Sequence, residues 1–322
     1  MRILNKAAVA SALSHADCVD ALEPAMRAVS SGAVDMPLRQ YLTIPDTNGG
    51  KFTAMPGYLA DPRSFGIKLV AKYPREPDSP LGSHTGAVIL FDAELGAPVC
   101  VLDGSEVTAI RTAAASALAT RVLARRDAHV LTVLGTGLQA EHHVHAIRAV
   151  RDIDEVRVWG RNTERAAALA DALPGSATAV TELADAVAGA DIVCTTTSAR
   201  EPFLAGALLE PGQHLNLVGA AIIEASEVDI NVVRRSRVYV DYRPSARAQA
   251  GELAAADAAG FAFDDVVVAE LGEVLAGSAP GRGSDDEITT YKSLGVSAQD
   301  LAAAFVTYHR AVSDDIGVDV DW

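Results

Sequence analysis

A chain of 322 residues, 49% hydrophobic and 5% aromatic, can bury a large core and more readily forms two domains than one. Asp and Glu outnumber Lys and Arg by 42 to 27, a net charge of −15 with no basic block, which argues against nucleic acid or an anionic membrane as partner. Cys18, Cys100 and Cys194 are scattered and odd in number, which argues against a disulfide framework or a cysteine zinc site. No apolar run approaches the roughly 20 residues of a membrane span, and the opening residues are too weakly apolar for a signal peptide. The expected location is cytoplasmic.

In chain order, Asp17–Ser30 predicts a helix, with Val19, Leu22, Met26 and Val29 at helical spacing and Gly32 as its stop. Segments 38–44, 51–59, 65–72, 85–91 and 98–102 have β character and are separated by turn residues such as Glu94-Leu95-Gly96, which suits an antiparallel sheet. An Ala-rich helix follows over 108–124. The middle then alternates: strands are predicted at 130–134, 156–159, 177–180, 192–195, 215–218 and 238–241, with helical stretches between most of them. That alternation predicts α/β architecture, a doubly wound parallel sheet of Rossmann type. A last helix is expected over 297–312, through Leu301, Phe305 and Tyr308.

Gly135-Thr136-Gly137-Leu138-Gln139-Ala140 follows an apolar strand and opens a helix. A lone glycine pattern is weak evidence, and an ordinary strand–helix turn would also fit it. The βαβ context favours dinucleotide binding, since two glycines allow a tight turn and close backbone approach to a pyrophosphate at the helix N-terminus. The next strand ends in Trp159-Gly160-Arg161-Asn162-Thr163, without the carboxylate that usually accepts from the ribose of NAD. Arg161 can pair with a 2′-phosphate, and Asn162 and Thr163 can donate to it, so NADP(H) is expected over NAD(H). Thr197, Ser198 and Val218, at later strand ends, are expected along the same crevice. His142-His143-x-His145 lies on the helix after the glycine loop without a completing ligand set, so no metal is expected.

Lys68 sits between Ile67 and Leu69 in a β segment, and Arg39 and Arg111 lie in other segments of the first region. Each has an ordinary explanation: a lysine on a half-solvated strand, or an arginine that caps a helix or pairs with an acid. Together, however, the segments resemble the ornithine cyclodeaminase/mu-crystallin family over nearly the whole chain. The resemblance runs through Met36-Pro37-Leu38-Arg39, Lys68-Leu69-Val70, Ser83-His84, Thr108-Ala109-Ile110-Arg111-Thr112-Ala113-Ala114, the glycine loop, Glu270-Leu271-Gly272-Glu273-Val274 and Lys292-Ser293-Leu294-Gly295. The runs around Arg111 and Ser293 are specific to that family, and the mu-crystallin (ketimine reductase) type is the most similar within it.

The resemblance implies a homodimer with an N-terminal α+β substrate and dimerisation domain (1–120), completed by the C-terminal helix (297–322), and a Rossmann NAD(P)-binding domain (121–296). It implies that Lys68, Arg39 and Arg111 are catalytic, with Arg111 also near the cofactor. It places Ser83, His84, Thr197, Ser198, Val218, Ser293 and Leu294 along that cofactor. One departure bears on activity. Where the cyclodeaminases and alanine dehydrogenases resemble one another in a Gly-x-Asp segment, this chain reads Gly219-Ala220-Ala221, and Ala225 stands where the cyclodeaminases have a lysine. A methyl group cannot transfer a proton or bind an ammonium group. Glu224 and Glu227 follow, Glu227 being expected to start the next helix. The expected activity is NADPH-dependent reduction of small, cyclic α-imino acids such as pyrroline-2-carboxylate or piperideine-2-carboxylate. The alternatives are an alanine-type amino-acid dehydrogenase, then an ornithine or lysine cyclodeaminase, or a non-catalytic NADP-dependent ligand binder. The segment Gly281–Glu287 reads as an exposed loop.

Overall fold

The computed structural model describes residues 1–47, 49–74, 82 and 84–321. Its contacts divide the chain into two compact units, Met1–Arg111 with Val296–Trp322, and Thr112–Gly295. The strands are β1 (Arg2–Leu4), β2 (Val34–Asp35), β3 (Gln40–Thr43), β4 (Lys51–Ala60), β5 (Arg63–Lys72), β6 (His84–Phe91) and β7 (Pro98–Asp103). They continue with β8 (Val130–Leu134), β9 (Glu155–Trp159), β10 (Ala177–Ala179), β11 (Ile192–Thr195), β12 (His214–Leu217), β13 (Ser236–Val240), β14 (Val267–Glu270), β15 (Ile288–Lys292) and β16 (Val318–Asp319).

The first unit is a mixed sheet in the order β16-β1-β7-β6-β5-β4-β2, with β3 also paired to β4. Its helix His15–Ser31 ends at Gly32, whose positive φ of 77° suits a residue without Cβ. Helix Ser297–Ser313 packs on β4, β5, β6 and His15–Ser31. A local feature of the sheet permits that approach. Gly57 and Gly66 face each other across β4 and β5. A Cβ on Gly57 would lie 2.5 Å from Ser297 Oγ, and one on Gly66 would lie 3.2 Å from Leu301 Cδ2 and 2.1 Å from the Ile89 carbonyl. The helix therefore rests nearly on backbone. Because strand side chains alternate, Ser64, Gly66 and Lys68 share the buried face, while Phe65, Ile67 and Leu69 are only half-buried on the other.

The second unit is a Rossmann-type sheet, entirely parallel, in the order β10-β9-β8-β11-β12-β15-β13-β14. The predicted strands are present within a residue or two. The central strand β15 was not among them. Its run Ile-Thr-Thr-Tyr-Lys does not read as a core strand, yet all five residues are buried. Its threonines are satisfied within the fold: Thr289 Oγ1 donates to the Leu123 carbonyl at 3.0 Å and Thr290 Oγ1 to Ser236 Oγ at 2.8 Å. The short strands β1, β2, β14 and β16 were also unpredicted. The Ala-rich helix begins at Gly104 rather than at 108, because Asp103 Oδ1 at the end of β7 accepts from the Glu106 N–H at 2.8 Å. Among the described residues, no helix is long and apolar enough to cross a membrane.

Candidate active site

The first unit gathers buried charge on the helix-facing side of its sheet. Lys68 on β5 donates from Nζ to Asp300 Oδ1 at 2.7 Å, and both side chains are buried. Arg111, from helix Gly104–Leu123, brings its Nε within 2.9 Å of the same oxygen as an ion pair, and its Nη1 donates to Gln299 Oε1 at 3.0 Å. Gln299 in turn donates to the sulfur of Met26. Burial, and then the neighbouring Arg111 charge, push the Lys68 ammonium down to about 7; Asp300 pulls the other way and Arg39 adds a further push downward. Arg39 precedes β3, half-buried, and its charge is thus felt at Lys68. Lys68 and Arg111, expected together, meet on one carboxylate. Asp300 and Gln299 were not anticipated, because Ser297-Ala298-Gln299-Asp300 reads as the polar first turn of a helix. Their one signal is position, directly before the buried Leu301 in an Ala-rich stripe. His84 opens β6 opposite Lys72 in β5. Ser83 lies outside the described residues.

In the second unit the glycine loop joins β8 to helix Leu138–Arg148. Gly135 has φ 143°, and a Cβ there would fall 2.5 Å from Thr196 Oγ1 and 2.9 Å from its carbonyl. Gly137 caps the helix with no side-chain acceptor, and nothing lies within 4 Å of where its Cβ would stand. The turn is closed on one side by glycine-only packing and left open in front of the helix N-terminus, which suits a pyrophosphate. Thr136 and Gln139 are half-buried and Leu138 is exposed. The β9 tip lies beside this loop, since a Cβ on Gly160 would meet Thr136 Cγ2 at 2.6 Å. Arg161, Asn162 and Thr163 are exposed there, and Asn162 Oδ1 accepts from the Arg165 N–H at 2.8 Å, capping the next helix.

The ornithine cyclodeaminase/mu-crystallin family model matches residues 1–315. The chain belongs to that family. Mouse ketimine reductase mu-crystallin is 36% identical over 279 residues, covering 86% of this chain and 85% of the mouse protein. Among solved structures, Thermococcus litoralis Delta(1)-pyrroline-2-carboxylate reductase in complex with NADH and L-proline superposes with TM-score 0.95 at 30% identity, covering 99% of this chain and 100% of its own. An archaeal alanine dehydrogenase dimer with bound NAD gives TM-score 0.92 at 32% identity, covering 100% of this chain and 99% of its own.

Against the family pattern, the structure corrects one expectation and explains another segment. Glu227 does not start the following helix, which Asp229 caps by accepting from the Asn231 and Val232 N–H groups. Fully buried, the Glu227 carboxylate instead accepts four hydrogen bonds, all 2.7 Å long: from Thr195 Oγ1, the Thr197 N–H, Thr197 Oγ1 and the Gly219 N–H. It ties together the ends of β11 and β12, where Thr197 and Val218 lie, and has no acceptor capacity left for a substrate. Glu224 is exposed, and Ala221 packs against the apolar cluster around Val238 and Leu253. Lys292, fully buried, donates to the Ala220 carbonyl and to Glu252 Oε1, anchoring the base of that loop.

Asp241 Oδ2 accepts from the N–H groups of Leu294 and Gly295 at 2.9 and 2.6 Å, fixing the turn that carries Ser293 and Leu294. Ser198 is exposed. His143 is directed inward, Nε2 within 3.0 Å of Ser116 Oγ and Nδ1 within 2.6 Å of the Gln139 carbonyl. Among the described residues, no group of three or more His, Cys, Asp or Glu could hold a metal. The segment Gly281–Glu287 is more than an exposed loop: Arg282 is half-buried and donates to the carbonyls of Leu123 and Gln213 and to Thr289 Oγ1.

Proposed function

We propose that this protein is an oxidoreductase that reduces small, cyclic α-imino acids of the pyrroline-2-carboxylate or piperideine-2-carboxylate kind, with NADPH as the preferred donor. The observation that carries the reading is the buried Lys68–Asp300–Arg111 cluster in a chain of this family. The cluster sets two cations, Lys68 and Arg111, on one carboxylate, an excess that suits a substrate carboxylate. Arg111 keeps Nη2 without a partner among the described residues, and with Arg39 it would orient that carboxylate through charge-assisted hydrogen bonds. A lysine near 7 can hold a proton at neutral pH and release it, so Lys68 Nζ would protonate the imine nitrogen and recover its proton from solvent. A bound nicotinamide would supply the hydride to the imine carbon, giving the amino acid.

The glycine turn, the Glu227-tied strand ends and the Ser293-Leu294 turn are the residues we assign to that nucleotide. The β9 tip supports the 2′-phosphate, because Gly160–Thr163 contains no carboxylate to repel it and carries Arg161. Cyclodeamination is not favoured: Ala221 offers no acid or base, Glu224 is exposed and Glu227 is saturated. We further read the protein as a cytoplasmic homodimer; its three cysteines are buried and free, as in a reducing compartment.

The test is oxidation of NADPH and NADH by the purified protein over a panel of preformed cyclic ketimine acids, and of pyruvate with ammonia or methylamine. Turnover of the cyclic imines with NADPH is the expected result. Turnover confined to keto acid plus ammonia would instead make it an amino-acid dehydrogenase. No consumption of either nucleotide between pH 5 and 9 would sink the enzymatic reading.

A further inference from the structure

Asp300 is 1% exposed, a degree of burial that carboxylates reach only when paired. It stands in the first turn of Ser297–Ser313, brought against the sheet by Gly57 and Gly66. Lys68 and Arg111 both engage its Oδ1, and Oδ2 is buried with no hydrogen-bond partner. Two cations with no anion between them would be costly to bury. The charged or titratable groups around the pair are Lys68 from β5, Arg111 from Gly104–Leu123, Arg39 ahead of β3, Cys18 from His15–Ser31 and His84 from β6, with Asp17 half-exposed beside Cys18 and acting on it rather than on Lys68. Of the carboxylates among these, Asp300 is the one that acts on Lys68.

We propose that Asp300 is the positioning residue of the cluster: it fixes Lys68 Nζ beside Arg111, and its charge decides the pH range over which Lys68 keeps a proton to donate. The proposal rests on the imine-reduction reading of Lys68. Without Asp300, only like charges would face the Lys68 ammonium, and it would lose its proton at lower pH. With a lengthened carboxylate the charge would persist while the geometry changed.

The experiment compares pH profiles of kcat and kcat/KM for ketimine reduction in the wild type, Asp300→Asn and Asp300→Glu. In Asp300→Asn the alkaline limb should move towards acid by about one pH unit or more, so that activity at pH 8 falls about fivefold or more further than at pH 6. In Asp300→Glu the limb should stay in place while kcat falls. A uniform loss across pH with an unmoved limb in Asp300→Asn overturns the proposal. Should Asp300→Asn fail to fold, Asp300→Glu decides alone: a displaced limb or an unchanged kcat overturns it. A second readout needs no turnover. The pH dependence of Lys68 acetylation by acetic anhydride, followed by peptide mass spectrometry, should shift the same way in Asp300→Asn, and an unshifted curve counts against the proposal. If the wild type reduces no imine, the function fails, and this labelling still tests the Asp300–Lys68 coupling.

Discussion

Lys68 and Arg161 are both cations, and their surroundings give them different work. Lys68 is held in a dry layer between sheet and helix, where burial competes with its ion pair and brings its proton within reach of neutral pH. Arg161 stands exposed at the tip of β9, where, on the proposed reading, its guanidinium would attract a 2′-phosphate. Arg161→Asp would replace a group that attracts a 2′-phosphate with one that repels it and accepts from ribose hydroxyls. The ratio of kcat/KM with NADPH to that with NADH should fall at least about tenfold, measured by initial rates at fixed imine concentration. An unchanged ratio would remove Arg161 from the nucleotide site.

A parallel sheet presents its strand ends as separate loops, and something must hold them in register. Here Glu227 does so for β11 and β12, and Asp241 for the turn after β15. Glu227→Gln replaces one accepting oxygen by an amide that faces donors, leaving buried N–H and O–H groups opposed. It should cost about 2–3 kcal/mol in denaturant unfolding and raise KM for the nucleotide more than KM for the imine. Equal stability, or an effect confined to the imine, would show that the carboxylate does not tie these loops.

At the scale of the whole molecule, the mixed sheet of the first unit has one face under helix Ser297–Ser313, and its other face is only half-buried among the described residues. Phe65, Ile67, Leu69 and Ile89 are half-buried there, Phe65 stacks on Phe91 at 5.4 Å, and Leu42, on strand β3 beside β4 and on the same face, is 60% exposed. This half-buried apolar face is the surface on which the proposed dimer would form. The protein should sediment at twice its chain mass, and Ile67→Lys should shift it to monomer at micromolar concentration. Wild-type protein that is monomeric at all concentrations would overturn the dimer.

The Rossmann sheet was legible because most of its strands obey local rules: apolar runs, glycine at the turn and helices between them. The amphipathic helix Ser297–Ser313 and the glycine loop were legible for the same reason. β15 was hidden because its threonines, tyrosine and lysine are buried only through partners far along the chain, such as Leu123 and Ser236. Residue order alone determined that Lys68, Arg39 and Arg111 are worth watching, through a family pattern and not through spacing. Only the folded chain decided that Lys68 and Arg111 share a carboxylate 232 positions beyond the lysine. A charge pair depends on distance in space, and here a glycine pair in the sheet lets a distant helix bring Asp300 to Lys68.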